Sequence, residues 1–180
     1  KKYNLDYIAS GGIDKELKIW HLRTGELYRT LIGHKNLISC IDSVKEGIIA
    51  SGSHDRTTRI WNIHTGQCLY VLNDPTEVCG IAVISPHLIA TGLCTGSNVV
   101  NIWDLDTQKQ NASLTGHTNT IWTVLRLSDT KVVSGSADGA ARVWDINTRE
   151  YLAMAEHSGW ILSLCYISET KFASCGQDYI

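Results

Sequence analysis

At 180 residues the chain is long enough for one domain and short for two. It is 43% hydrophobic and 19% charged, the composition of an ordinary folded domain, and its net charge of −2 argues against a sequence-independent nucleic-acid binder, which carries a basic excess. No apolar run approaches the roughly 20 residues that cross a bilayer, and Lys1-Lys2 is not followed by the apolar core of a signal peptide. An intracellular setting, cytoplasmic or also nuclear, is therefore expected, without membrane or direct nucleic-acid partners.

The six cysteines, Cys40, Cys68, Cys79, Cys94, Cys165 and Cys175, are scattered without a CxxC pair and without a histidine at ligand spacing. All but Cys68 lie in or beside apolar runs, so reduced, buried cysteines acting as small hydrophobes are expected rather than a disulfide framework. The Asn111-Ala112-Ser113 sequon is discounted as a chance match.

In chain order the segments repeat. GGIDKELKIWHLRTG is followed by GSHDRTTRIWNIHTG, TGLCTGSNVVNIWDLDTQ and GSADGAARVWDINTR, which places Trp20, Trp61, Trp103 and Trp144 at separations of 41, 42 and 41 residues. Asp14, Asp55 and Asp138 each stand six residues before their tryptophan, and a further turn, SCGQD, ends in Asp178. A second landmark opens the units at Gly33-His34, Gly116-His117 and Glu156-His157, whereas Asn73-Asp74-Pro75 occupies that slot without a histidine. After each landmark comes a short alternating apolar run (LISCIDSV, VCGIAVI, TIWTVLRL, WILSLCYI), then a polar turn and another run (GIIASGS, HLIATGL, KVVSGS, KFASCG). The period of two and the β-branched content predict four strands, a to d, per unit of about 41 residues, with no sustained helical period.

GH, SGSxD and W at this spacing resemble the WD40, or transducin β-like, repeat family, and the resemblance covers nearly the whole chain. It implies an all-β WD40 β-propeller whose blades are four-stranded antiparallel sheets around a channel. About four blades' worth of sheet is expected: the last three strands of one blade, three full sets, and the first two strands of another. The units run roughly 1–33, 34–73, 74–116, 117–156 and 157–180. An open ring exposes strand edges, so a fragment of a seven-bladed propeller is expected, closed by the remainder of the same chain or by a second copy.

The resemblance also implies a hydrogen-bonded chain in each blade, built from His34, Ser51, Asp55 and Trp61 in one unit and from His117, Ser134, Asp138 and Trp144 in another. Thr91 and Trp103 form a defective set, because CTGSN lacks the turn Asp and the unit lacks the His; that turn is expected to be the least constrained. Asp, His and Ser together suggest a hydrolase, but a catalytic triad occurs once at an open site, whereas this constellation recurs with the repeat. No catalytic residue, cofactor or metal site is assigned. His21, His54, His64 and His87 lack neighbouring ligands at metal spacing, and SGS and GSADG precede strands rather than the helix a phosphate loop requires.

Family members bind partners on one face of the disc, which implies a partner-binding set here. The strand-a positions are Leu37 and Ser39, Glu77 and Cys79, Thr120 and Trp122, and Trp160 and Leu162. Just before each turn Asp come Ile13, His54, Ala137 and Gln177, with the third turn unresolved between positions 94 and 96. Strand alternation opposes Trp122 to the core position Ile121, and Trp160 and Leu162 to Ile161, which turns the tryptophans toward solvent or a partner; the alternative is that they pack between blades. None of these positions is Arg or Lys, while Lys15 and Arg56 follow the turn Asp, so a reader of phosphorylated peptides is disfavoured. The expected function is a non-enzymatic scaffold that binds partner proteins or peptides. The alternatives are the substrate-receptor module of a ubiquitin ligase, as in F-box/WD40 proteins, or a regulatory repeat domain of a larger enzyme.

Overall fold

The structure is a computed structural model that describes residues 6–94 and 96–178, except for the side chains of 153–155. No helix occurs among the described residues, and none is long and apolar enough to cross a membrane. Among the described residues seventeen strands form five antiparallel sheets, and within each sheet every strand is hydrogen-bonded to the next in sequence. The first sheet holds β1 (Tyr7–Gly11), β2 (Glu16–His21) and β3 (Leu27–Ile32). The second holds β4 (Ile38–Lys45), β5 (Ile48–Ser53), β6 (Thr57–Asn62) and β7 (Cys68–Asn73). In the third are β8 (Val78–Ser85), β9 (Leu88–Leu93), β10 (Val100–Asp104) and β11 (Lys109–Leu114). The fourth comprises β12 (Ile121–Arg126), β13 (Lys131–Ser136), β14 (Ala140–Asp145) and β15 (Tyr151–Glu156). A last pair, β16 (Ile161–Ser168) and β17 (Lys171–Gly176), closes the described chain.

Sheets stack face to face because each strand turns alternate apolar residues toward a neighbour. Leu17, Ile19 and Leu31 of the first sheet pack on Ile38 and Trp61 of the second. Ala50, Ile60 and Leu72 meet Ile81, Ile89 and Trp103. Ile84, Val100, Ile102 and Leu114 in turn meet Ile121, Val132 and Trp144. Each of these three repeat tryptophans thus lies in the seam with the preceding sheet. The inner strands β4, β8, β12 and β16 contact one another in succession, as blades arranged around an axis require.

Glycine decides how closely the blades approach. A Cβ at Gly92 would lie 2.7 Å from Ile121 and Val124, and one at Gly135 would lie 2.6 Å from Ile161. The SGS stretch is therefore more than a small-residue turn: its glycine admits the side chain that opens the next blade. The b–c turns repeat a left-handed residue at Lys15 (φ 66°), Arg56 (φ 66°), Asn98 (φ 54°) and Gly139 (φ 82°). A residue with a Cβ is strained in that region by about 1–2 kcal/mol, partly offset by glycine's larger unfolded entropy. Arg56→Gly is accordingly expected to stabilise the chain by about 0.5–1 kcal/mol, read as a higher midpoint in thermal unfolding; an unchanged or lower midpoint contradicts this.

Candidate functional site: blade networks and the partner face

In the second sheet the indole Nε1 of Trp61 donates to Ser51 Oγ at 2.8 Å, Ser51 Oγ lies 2.8 Å from His34 Nε2, and His34 Nδ1 lies 2.9 Å from Asp55 Oδ2. The fourth sheet repeats this with Trp144 to Ser134 at 2.7 Å, Ser134 to His117 at 2.7 Å, and His117 to Asp138 at 2.8 Å. Asp138 also takes a hydrogen bond from the Arg142 guanidinium at 2.9 Å. His157 bridges Ser174 and Asp178 in the last pair of strands, and Trp20 donates to Ser10 at 2.8 Å in the first sheet.

Electrostatics assigns the protons. Burial lowers the pKa of His34 and His117, against the opposing pull of their aspartates. Burial pushes the Asp55 carboxyl up, but hydrogen bonds from Thr57, the Lys35 amide and His34 outweigh it and hold the group at about 2. Asp138 is likewise held at about 2 by the Thr118 amide and His117 against its burial. With neutral imidazole and ionised carboxylate, every donor points one way: indole to hydroxyl, hydroxyl to Nε2, Nδ1–H to carboxylate. The serine proton is thus engaged within a buried chain whose Ser51 and Ser134 are fully buried, so neither serine is a solvent-facing nucleophile.

The third sheet corrects the expectation of a defective set. Asp74 occupies the landmark slot and replaces the histidine. Its Oδ1 accepts from Thr91 Oγ1 at 3.2 Å and from Asn101 Nδ2 at 2.8 Å, while Trp103 donates to Thr91 at 3.2 Å. A carboxylate one bond from the strand hydroxyl does what imidazole and turn Asp do jointly elsewhere. Burial raises the Asp74 carboxyl to about 6, although hydrogen bonds from Asn101, Thr91 and Trp103 pull the other way. The only sequence signal for this role was an Asp in the histidine slot; Asn101 had none.

On the partner face, each inner strand carries a bulge in its pairing, after Ile38, Val78, Ile121 and Ile161. The residues set aside are Ser39, Cys79, Trp122 and Leu162. A bulge re-aims its residue, so simple alternation, the basis for opposing Trp122 to Ile121, does not hold there. A second recurrent feature joins the remaining positions. His54 N donates to Leu37 O, Cys94 N to Glu77 O, Ala137 N to Thr120 O and Gln177 N to Trp160 O, all at 2.8–2.9 Å. Cys94 is thereby the third blade's counterpart of His54; Thr95 lies outside the described residues. Ile13, Trp160 and Leu162 are 84%, 45% and 46% exposed. Ser39 and Gln177 are also exposed, Leu37, Glu77, Trp122 and Ala137 are half-buried, and Thr120 is buried. Ser39 is occupied by hydrogen bonds to Gly52 O and Val78 O. The Trp122 and Trp160 rings lie 5.9 Å apart at 31°.

The cysteine expectation also needs correction. Cys79 and Cys94 form a disulfide with Cα atoms 6.0 Å apart, because the β8 bulge and the end of β9 bring them to the same edge. Cys165 and Cys175 are exposed, since no further sheet of the described chain covers β16 and β17. Cys40 is half-buried, with burial pushing its thiol up to about 12. Contrary to the reading that His54 has no neighbouring ligand, its imidazole gathers with Cys79 and Cys94, 25 and 40 residues away in sequence, with all ligand atoms within 4.8 Å of one another.

The WD domain, G-beta repeat family model matches residues 25–62 and 108–145. The DENN domain and WD repeat-containing protein SCD1 of Arabidopsis thaliana is 30% identical over 149 residues, covering 80% of this chain and 12% of that protein. Mitogen-activated protein kinase kinase kinase A of Dictyostelium discoideum is 31% identical over 168 residues, covering 86% of this chain and 18% of that protein. Among solved structures, the RRP9 WD40 repeats superpose with a TM-score of 0.87 at 22% identity, over 95% of this chain and 56% of that one. U3-55K gives 0.86 at 23% identity, over 94% and 54%. The chain thus spans about half the length of these solved structures and under a fifth of these two relatives. Repeated Trp–Ser–His–Asp chains, meandering four-stranded blades and these matches together establish a WD40-repeat chain with the β-propeller fold.

Proposed function

We propose that this chain is a non-enzymatic scaffold segment that binds partner polypeptides on the face carrying Trp122, Trp160 and Leu162. WD40 repeats generally serve as protein-interaction scaffolds, and no catalytic family is indicated. The observation that carries the reading is the exposed Trp160, just before β16, whose ring lies 5.9 Å from that of Trp122 on β12, with exposed Leu162 two residues further on. Grouped exposed apolar side chains mark interaction surfaces, and tryptophan is the commonest anchor of binding energy. Glu77 is the one formally charged side chain among the partner-face positions, which favours an apolar partner segment over a phosphorylated or strongly charged one. Affinity capture by wild-type chain, Trp160→Ala and Trp122→Ala tests it. Captured polypeptides are expected to weaken by tenfold or more with Trp160→Ala; an unchanged set with both variants refutes the site.

A second reading, a regulatory repeat domain within a larger enzyme, is favoured by the kinase named among the relatives, of which this chain matches 18%. Sequencing the full transcript around these repeats decides it: a kinase or other catalytic domain on the same chain supports the reading, and its absence removes it.

A further inference from the structure

We propose that His54, Cys79 and Cys94 form a thiol-gated binding site for zinc. The three side chains come from two adjacent blades, and each is held by backbone that the fold makes rigid. His54 precedes the network aspartate and its amide is bonded to Leu37 O; the Cys94 amide is bonded to Glu77 O; Cys79 is the bulged residue of β8. The His54 Nε2 atom lies 3.8 Å from Cys79 Sγ. Two ligands on a tetrahedral zinc, with bonds of about 2.3 Å to sulfur and 2.0–2.1 Å to nitrogen, stand about 3.6 Å apart. The observed spacing fits that arrangement. Two thiolates and an imidazole are a soft donor set that selects zinc over oxygen-preferring cations such as magnesium or calcium. Three protein ligands leave a fourth position for water. Both cysteines are 6% exposed, so their surroundings strengthen a thiolate–metal bond that water would otherwise weaken.

The disulfide sets the gate. A dithiol reductant opens the Cys79–Cys94 bond to two thiols and closes to its own disulfide, so two electrons and two protons balance. Zinc then displaces the two thiol protons and accepts the Nε2 lone pair of His54. Oxidised, the pair has no thiolate to offer. The Cα separation of 6.0 Å suits the disulfide, and rotation of the two side chains separates the sulfurs to the roughly 3.8 Å that zinc requires. The site joins the b–c turn of the second blade to the third blade, whose own turn lacks an Asp, so metal or disulfide adds a cross-link beside the Asp74 network.

The test is zinc binding by calorimetry to the full chain reduced with dithiothreitol and desalted without air, with cobalt(II) as the spectroscopic probe. One equivalent is expected, with thiolate-to-cobalt charge-transfer absorption in the near ultraviolet. Cys94→Ser should abolish this absorption, and His54→Ala, a side chain on the surface turn, should weaken zinc at least tenfold while circular dichroism stays unchanged. The Cys165→Ser/Cys175→Ser variant removes the exposed thiols and should bind normally. Equal uptake by the oxidised chain or by Cys94→Ser, no uptake by the reduced chain, or a Cys79–Cys94 bond that resists reduction in the folded chain each overturns the proposal. The readout is the metal alone, so its failure leaves the partner-face reading standing.

Discussion

Trp144→Ala is expected to destabilise the chain by about 3–5 kcal/mol, the range for removing a large aromatic from a close-packed core. For a chain of this length that corresponds to a fall of about 6–20 °C in the midpoint of thermal unfolding. Trp144 is completely buried and packs in the seam with Ile84, Val100, Ile102 and Leu114 of the preceding blade. Its removal leaves a cavity between two blades and deprives Ser134 of its donor, so the loss combines packing with a broken network. Trp144→Phe separates the two contributions. It keeps most of the apolar volume and loses only the indole N–H, so about 1–2 kcal/mol is expected. Denaturant unfolding of both variants checks the argument: equal losses mean that the hydrogen bond, not the seam, dominates, and a loss below about 1 kcal/mol for Trp144→Ala contradicts the packing role.

The second large effect has the opposite sign. Asp74→Asn is expected to stabilise the chain at pH 8, and to do so by about 2 kcal/mol more than at pH 4. Asp74 is buried and its carboxyl is raised from 3.8 to about 6. A raised carboxylate pKa means that the folded state binds the proton more tightly than the unfolded state. Between pH 3.8 and 6 the unfolded chain is ionised while the folded chain still holds its proton. Stability from this group therefore falls as pH rises through that window and stays low above it. Asparagine never ionises and retains an oxygen for Asn101 and Thr91, so its advantage grows over the same window. Measuring the difference between variant and wild type across pH 4–8 cancels the other titrating groups. Those groups act in the other direction. Asp55 and Asp138, held at about 2, contribute stability above pH 3.8 that is lost as pH falls toward 2. His34 and His117, with lowered pKa, begin to oppose folding below pH 6.5. A pH-independent difference would show that Asp74 is not held near pH 6.

Much of this protein is decided by sequence periodicity. A 41- to 42-residue recurrence of Trp, in three of four units with Asp six residues earlier, determines meandering strands because period-two patterning and fixed turns allow little else. The separation of the landmark histidine from its serine and aspartate, 17 and 21 residues in both complete networks, is set by strand length and turn size, so the resemblance to the WD40 repeat carries those partners over position by position. What spacing does not carry is any event that breaks the repeat. The bulges at Ser39, Cys79, Trp122 and Leu162 shift the alternation by one residue, and only the ladder of backbone hydrogen bonds shows where the extra residue falls. Asp74 stands 17 residues before Thr91, the spacing of the histidines from their serines, but that its carboxylate also reaches Asn101 is a matter of three-dimensional distance. The meeting of His54 with Cys79 and Cys94 depends on one blade lying beside the next. Local sequence determines each blade because its contacts lie within about 40 residues along a regular pattern; tertiary structure alone decides the contacts between blades, which no period along the chain encodes.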